Sequence, residues 1–258
     1  MFKLDEKLKN ERLGLRKLNN QGVMMEIIEY NTANNITVKF VDSGFIKYNT
    51  TWRYFNKGEV RDVFFPTVYN HGYLGDGCYK TRVNGKPSKC YKTWNDMLKR
   101  CYSERLHKKF TTYIGCTVID SWLNFQNFSK WFDQNYYEVD DEVMELDKDI
   151  LVKGNKIYSP DTCVFVPQKI NLLFVNRKNK RGNLPLGVYR KSNKYVAQCN
   201  IGEHKQINLG YFDNYTDAFK AYKTYKESYI KKVANDYKCK IPDRLYLAMI
   251  NYQIEILD

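Results

Sequence analysis

Asp147, Lys148 and Asp149 stand side by side in Glu145-Leu146-Asp147-Lys148-Asp149-Ile150, followed by Asn155 and, further on, Asn171. Carboxylates two residues apart on a strand face the same side. Asp147 and Asp149 could therefore hold Mg²⁺ or another divalent metal through one or two oxygens, or could simply solvate the end of a strand. Lys148 is a poor proton acceptor. Lysine normally keeps its proton to about pH 10, and flanking carboxylates favour the charged form further. A general base needs a pKa near the working pH, so contact with a phosphate suits Lys148 better. None of the three histidines, His71, His107 and His204, has an acidic partner at useful spacing.

The elements that must position these residues can be read locally. Glu145 to Val152 alternates as a strand, Gly154-Asn155 is a hairpin signal, Ser159-Pro160-Asp161 is a turn, and Thr162 to Val166 is a β-branched run. Pro167 suits the first turn of a helix whose buried face is Ile170, Leu173 and Phe174. Upstream, Thr93 with Asp96 makes a capping box ahead of Trp94, Met97, Leu98 and Cys101 at helical spacing. A second helix from about Ser121 carries Trp122, Phe125, Phe128 and Phe132 as a core stripe, and both helices are expected to pack on the hairpin.

This ββα order resembles the HNH nuclease hairpin. There, strand one supplies a general base, the turn an asparagine and the helix a metal ligand. Asn155 matches the turn asparagine, Asn171 the helix ligand, and Lys148 occupies the position of the histidine base. The resemblance thus implies catalytic roles for Asp147, Lys148 and Asn155, and metal ligation by Asp147, Asp149 and Asn171. The run Thr93 to Tyr102, then Tyr113 to Val118, then Trp122 to Trp131, is similar to the arrangement that precedes degenerate HNH hairpins in bacteriophage proteins. In those proteins a basic residue at the position of Lys148 is common.

Farther on, Leu186-Gly187-Val188-Tyr189, Tyr195-Val196-Ala197 and Leu209-Gly210-Tyr211-Phe212 resemble the ethylene-response-factor DNA-binding domain, which phage homing endonucleases carry beside an HNH module. Tyr195, Ala197 and Cys199 alternate with Val196, Gln198 and Asn200; Ile207, Leu209 and Tyr211 alternate with Gln206 and Asn208. The helix from Thr216 to Asn235 offers Ala218, Tyr222, Tyr225, Tyr229 and Val233 to cover the apolar face, leaving a face rich in amides with Arg190, Lys191, Lys194 and Lys205 at its edges. Asn and Gln can read adenine and Arg guanine in the major groove, while lysines set register on phosphates. Plant domains of this type use several arginines and a tryptophan; this face has one arginine and no tryptophan. Arg177, Lys178, Lys180 and Arg181 form a phosphate-tracking linker between the two modules.

Composition bounds the answer. The net charge is +13 over 258 residues. Asn176 to Lys240 holds 12 Lys and 3 Arg against 5 acids, so +10 of that excess is segregated there, which points to a polyanionic partner. No apolar run approaches the roughly 18 residues of a membrane span, the charged first residues lack a signal core, and seven cysteines without a CxxC pair argue for reduced thiols in a cytoplasm. The expected class is α+β: a small antiparallel barrel over 1–65, from alternation at Met24, Glu26, Ile28 and Tyr30, then Ile36, Val38 and Phe40; a Gly- and Tyr-rich linker over 66–92; the HNH-like module over 93–176; a basic linker over 177–183; and a three-stranded sheet plus helix over 184–258. Duplex DNA is the expected partner, with nicking or cleavage by a divalent metal as one outcome. The alternative is a catalytically dead regulator, or a phage inhibitor docking on a host defence protein.

Overall fold

The computed structural model describes residues 2–175, 183–202 and 205–256, with side chains from residue 6 onward. The basic run Arg177, Lys178, Lys180 and Arg181, and also His204, lie outside the described residues. The chain is mixed α+β and divides into two compact units, Met1–Phe132 and Asp133–Asp258.

In the first unit, helix α1 (Phe2–Arg12) precedes a four-stranded antiparallel meander of β1 (Arg16–Leu18), β2 (Met24–Thr32), β3 (Asn35–Phe40) and β4 (Ile46–Thr50), in the order β1-β2-β3-β4. The barrel expected from the sequence is instead an open sheet, with β1 and β4 as its edges. Strand β1 has three residues, all exposed, so it brings no inward side chains with which to close a barrel. The inward residues of β2 are Met25, Ile27 and Tyr30, so of the expected set Met24, Glu26, Ile28 and Tyr30 only Tyr30 enters the core. A register shift between Ile27 and Glu29 changes the alternation at that point. They pack with Ile36, Val38, Phe40 and Phe55, the last from α2 (Trp52–Asn56).

The Gly- and Tyr-rich segment, which includes the short hairpin β5 (Arg82–Val83) and β6 (Lys86–Pro87), is fastened to the helices of the same unit. The Gln126 amide accepts from the Tyr79 N–H at 2.9 Å and donates to the carbonyls of Leu74 and Tyr79. Helix α3 (Lys89–Tyr102) is capped by Ser88, five residues before the expected cap Thr93. Ser88 accepts from the Tyr91 N–H, and Thr93 lies inside the helix with its hydroxyl donating to Lys89 O at 3.1 Å. Nothing in Lys89 to Lys92 breaks a helix, so the first side chain able to cap wins. After α4 (Glu104–Lys109) and β7 (Thr117–Val118) come α5 (Asp120–Leu123) and α6 (Phe125–Asn135). Trp122 of α5 and Phe125, Phe128 and Phe132 of α6 are all buried, but the single helix expected from Ser121 is interrupted at Asn124, whose backbone is extended. The indole of buried Trp94 donates to Trp122 O at 2.7 Å.

In the second unit, β8 (Met144–Asp147) pairs antiparallel with β10 (Val164–Pro167), with β9 (Ile157–Tyr158) between them in sequence and α7 (Gln168–Phe174) directly after. Val164, Val166 and Ile170 enter a core completed by Ile230 and Ala234 of α8 (Tyr215–Asp236) and by Leu245 and Met249 of α9 (Asp243–Ile250). Strands β11 (Val188–Lys191), β12 (Lys194–Asn200) and β13 (Gln206–Phe212) form an antiparallel sheet in the order β11-β12-β13. Val188, Ala197 and Cys199 on one face pack against Ala218, Phe219 and Tyr222 of α8. Gly187 sits at φ +75°, and a Cβ there would lie 2.0 Å from the Tyr222 ring, so glycine alone permits this approach of chain to helix. Among the described residues no helix is long and apolar enough to cross a membrane.

Candidate functional site

The hairpin residues are drawn together by local backbone capture. One carboxylate oxygen of Asp147 accepts the N–H groups of Asp149 at 2.8 Å and Ile150 at 2.7 Å. Such a side-chain acceptor competes with the ladder, and β8 therefore stops at Asp147 rather than continuing to Val152. Asp149 is then a loop residue, and the expectation that both carboxylates share one strand face does not hold. Lys148 is only 7% exposed. Its ammonium donates to Asp149 Oδ2 at 3.0 Å and to Asn155 O at 2.8 Å. The Asn155 amide donates to Lys148 O and Ile157 O, both at 2.7 Å, and accepts from the Ile157 N–H at 3.1 Å. Asn155 and Lys148 thus clasp the loop from both sides.

Asn171 on α7 is turned towards strand β8, where its amide donates to Glu145 Oε2; Gln168 donates to the other oxygen of Glu145 at 2.9 Å. Glu145 is thereby engaged by two amides, a pairing that the alternation of β8 with α7 could have suggested. Among the described residues no three of His, Cys, Asp and Glu come together as a metal site. Asp147 has one oxygen outside its backbone bonds and Asp149 is exposed. Asp147 and Asp149 lie close enough for one carboxylate to act on the other, while Asn171 turns its amide nitrogen to Glu145.

Burial, together with the Asp149 carboxylate, pushes Asp147 up to about 6. A carboxyl whose folded-state value lies above its ordinary one favours folding while protonated. That stabilisation is complete below about pH 4 and is lost as pH rises through about 6. Asp147→Asn keeps the acceptor for both N–H groups without the ionisation. Its unfolding free energy is expected to match the native chain near pH 4 and to exceed it near pH 8, by on the order of 2 kcal/mol. Urea unfolding at the two pH values checks this; an equal difference at both would refute the assigned cause.

The second constellation lies on the sheet. Gln198 pairs with Asn208 and Asn200 with Gln206, so all four amides share the face opposite α8. Between them, the Gln198 amide donates to the Gln206 oxygen at 2.6 Å. On the same face Tyr189, Val196 and Tyr211 form one row across the three strands, and Lys191 sits opposite Lys194. Arg190 stands opposite Tyr195, whose neighbour across the sheet is Phe212, and so belongs to the helix-side face at the end of the sheet. Register thus separates it from the amides. Lys194 is paired with Asp213, and Lys205 follows the described turn at Gly202.

Sequence alternation places Tyr211 in the core, yet it is 55% exposed. The register shifts between Ala197 and Gln198 because β13 carries one extra residue at Leu209-Gly210, with Gly210 at φ +128°. This β-bulge exchanges the faces of the residues that follow. Phe212 turns to the core and Tyr211 to solvent, with the Lys191 ammonium 5.9 Å from its ring centre. A glycine inside a strand signals such a bulge. Tyr189, 40% exposed, and Tyr211 are the site residues that alternation alone misses. The strands themselves contain no Asp or Glu.

No family profile, curated protein or solved structure matches the chain.

Proposed function

We propose that this chain is a duplex-DNA-binding protein that lays the open face of β11–β13 on its target, with the ββα hairpin serving as a rigid neighbour in the same unit. The observation that carries this reading is that face: two exposed tyrosines, four amides and Lys191 and Lys194 on strands without a carboxylate. Amides and tyrosines meet base edges and sugars, and lysines neutralise phosphates. The segregated +10 over Asn176 to Lys240 supplies the field that draws a polyanion.

The hairpin favours a scaffold over a nuclease. A buried lysine tied to Asp149 and to the Asn155 carbonyl is neither free to take a proton from water nor able to reach a phosphate without breaking the loop. That supports the non-catalytic form of the reading: a regulator, or an inhibitor of a host defence protein in a phage setting. One observation favours the second form, an HNH-like metal-dependent nicking enzyme in a bacterial cytoplasm. Asp147, raised to about 6, lies where a carboxylate could accept a proton near neutral pH.

Incubation with supercoiled and linear DNA, in Mg²⁺, Mn²⁺ or chelator, separates the two. The scaffold form expects retarded migration and no nicking in any of them. Metal-dependent nicking that Asp147→Ala abolishes, with DNA affinity kept within about threefold, would instead establish the enzyme. Absence of any retardation would remove both.

A further inference from the structure

Helix α8 buries Ala218, Tyr222, Lys226, Ile230 and Ala234, one residue per turn, and the middle member of this stripe is a lysine. Lys226 is 6% exposed. Among the described residues no carboxylate pairs with it and no acceptor takes a hydrogen bond from it; the ionisable group that acts on it is the Cys199 thiol. Burial accordingly holds the ammonium below the ordinary lysine range. The stem of Lys226 is buried while its ammonium, which is not among the wholly buried polar atoms, ends without a partner among the described residues at the adjoining cavity. A methionine would fill the stripe without holding a charge there. An anion in the cavity would give that ammonium a partner.

The same lysine lines a cavity of about 1490 Å³ within the second unit, whose walls also include Tyr222, Tyr229, Gln198, Asn200 and Gln206. Two carboxylates, Asp149 and Asp236, border it, against lysines 153, 169, 205 and 226. That volume exceeds the roughly 300–1,000 Å³ of ordinary small-molecule pockets. Lysine is a point-charge partner for phosphate, a tyrosine ring such as that of half-buried Tyr229 can stack on a base, and amides bond to base edges. The Tyr222 ring is packed against Gly187 and serves as wall. Gln198, Asn200 and Gln206 belong both to this cavity and to the open sheet face.

We propose that the cavity takes an unpaired nucleotide, with Lys226 as the partner of its phosphate. The proposal rests on the DNA reading only for its source: a strand lying on the sheet face brings an unpaired nucleotide to the shared amides. A free nucleotide offers the same chemistry.

The test uses the full chain and three probes: a 5′-phosphorylated tetrathymidylate, thymidine monophosphate and a blunt duplex, with binding measured by calorimetry. Tetrathymidylate is expected to bind, Lys226→Met to weaken it by at least about tenfold, and Lys226→Arg to restore most of the affinity. Blunt-duplex affinity should stay within about twofold in both variants. Lys226→Met should melt no lower than the native chain, because it removes an unpaired charge from an apolar stripe. Binding of tetrathymidylate but not of the monophosphate identifies a strand as the source; equal binding of both identifies a free nucleotide. Native-like binding by Lys226→Met, or no binding of either small probe, overturns the proposal. Should the native chain fail to bind duplex while Lys226-dependent binding of tetrathymidylate persists, the duplex reading falls and this site stands.

Discussion

Duplex affinity is expected to fall by about a hundredfold or more between 50 and 300 mM salt, the loss that release of counterions from several neutralised phosphates produces. The lysines placed to cause it on the sheet are Lys191 and Lys194, at one end of the open face. Because the effect is electrostatic, it should be similar for unrelated duplex sequences. The sequence-dependent part of affinity, carried by Gln198, Asn200, Gln206 and Asn208, should change far less with salt. A fluorescence-anisotropy titration at four salt concentrations measures the slope directly. A flat curve would mean that the charge excess is a solvated surface unrelated to binding.

The largest stability effect is expected at Asn155, outside the core. Its amide ties Lys148 O to Ile157 O, and its own carbonyl takes one of the two bonds of the buried Lys148 ammonium. Asn155→Ala removes the side-chain bonds and leaves a buried carbonyl and a loosened buried cation. Unpaired buried groups cost about 1–3 kcal/mol each, more when charged, so a loss of about 3 kcal/mol in urea unfolding is expected. A companion Lys148→Met should cost less, since it removes the charge together with its need for partners. If Asn155→Ala proved neutral, the loop would not be held as described.

How much of this was readable beforehand differs from one element to the next. The ββα order followed from β-branched alternation, Gly154 and Pro167, because each acts within a few residues, and the structure places a strand pair and a helix there. The aromatic stripe of α6 and the sheet-plus-helix at the C-terminal end were legible for the same reason. The ends of elements were not. Strand β8 stops where the Asp147 side chain takes two N–H groups, a competition that propensity does not weigh. Strand β1 has no inward apolar residue to announce it.

The candidate site was half legible. Amide-rich alternation identified the face, but one extra residue at Leu209-Gly210 exchanged Tyr211 and Phe212, and register parity moved Arg190 to the other side. Resemblance to the HNH hairpin named Lys148 and Asn171, whereas their hydrogen-bond partners are tertiary facts that spacing does not carry. Lys226 could have been noticed: its place at four-residue spacing among Ala218, Tyr222, Ile230 and Ala234 puts a charge on a buried stripe.

Whether DNA meets the open face of β11–β13 can be measured directly. Two double reversals of equal charge test it: Lys191→Glu with Lys194→Glu on that face, and Lys231→Glu with Lys232→Glu on the exposed side of α8. Both change the net charge alike and neither touches a buried residue. With duplex affinity measured at one fixed salt concentration, the sheet pair is expected to lose at least about tenfold more than the helix pair. Equal losses from the two pairs, or a greater loss from the helix pair, would contradict the placement of DNA on β11–β13.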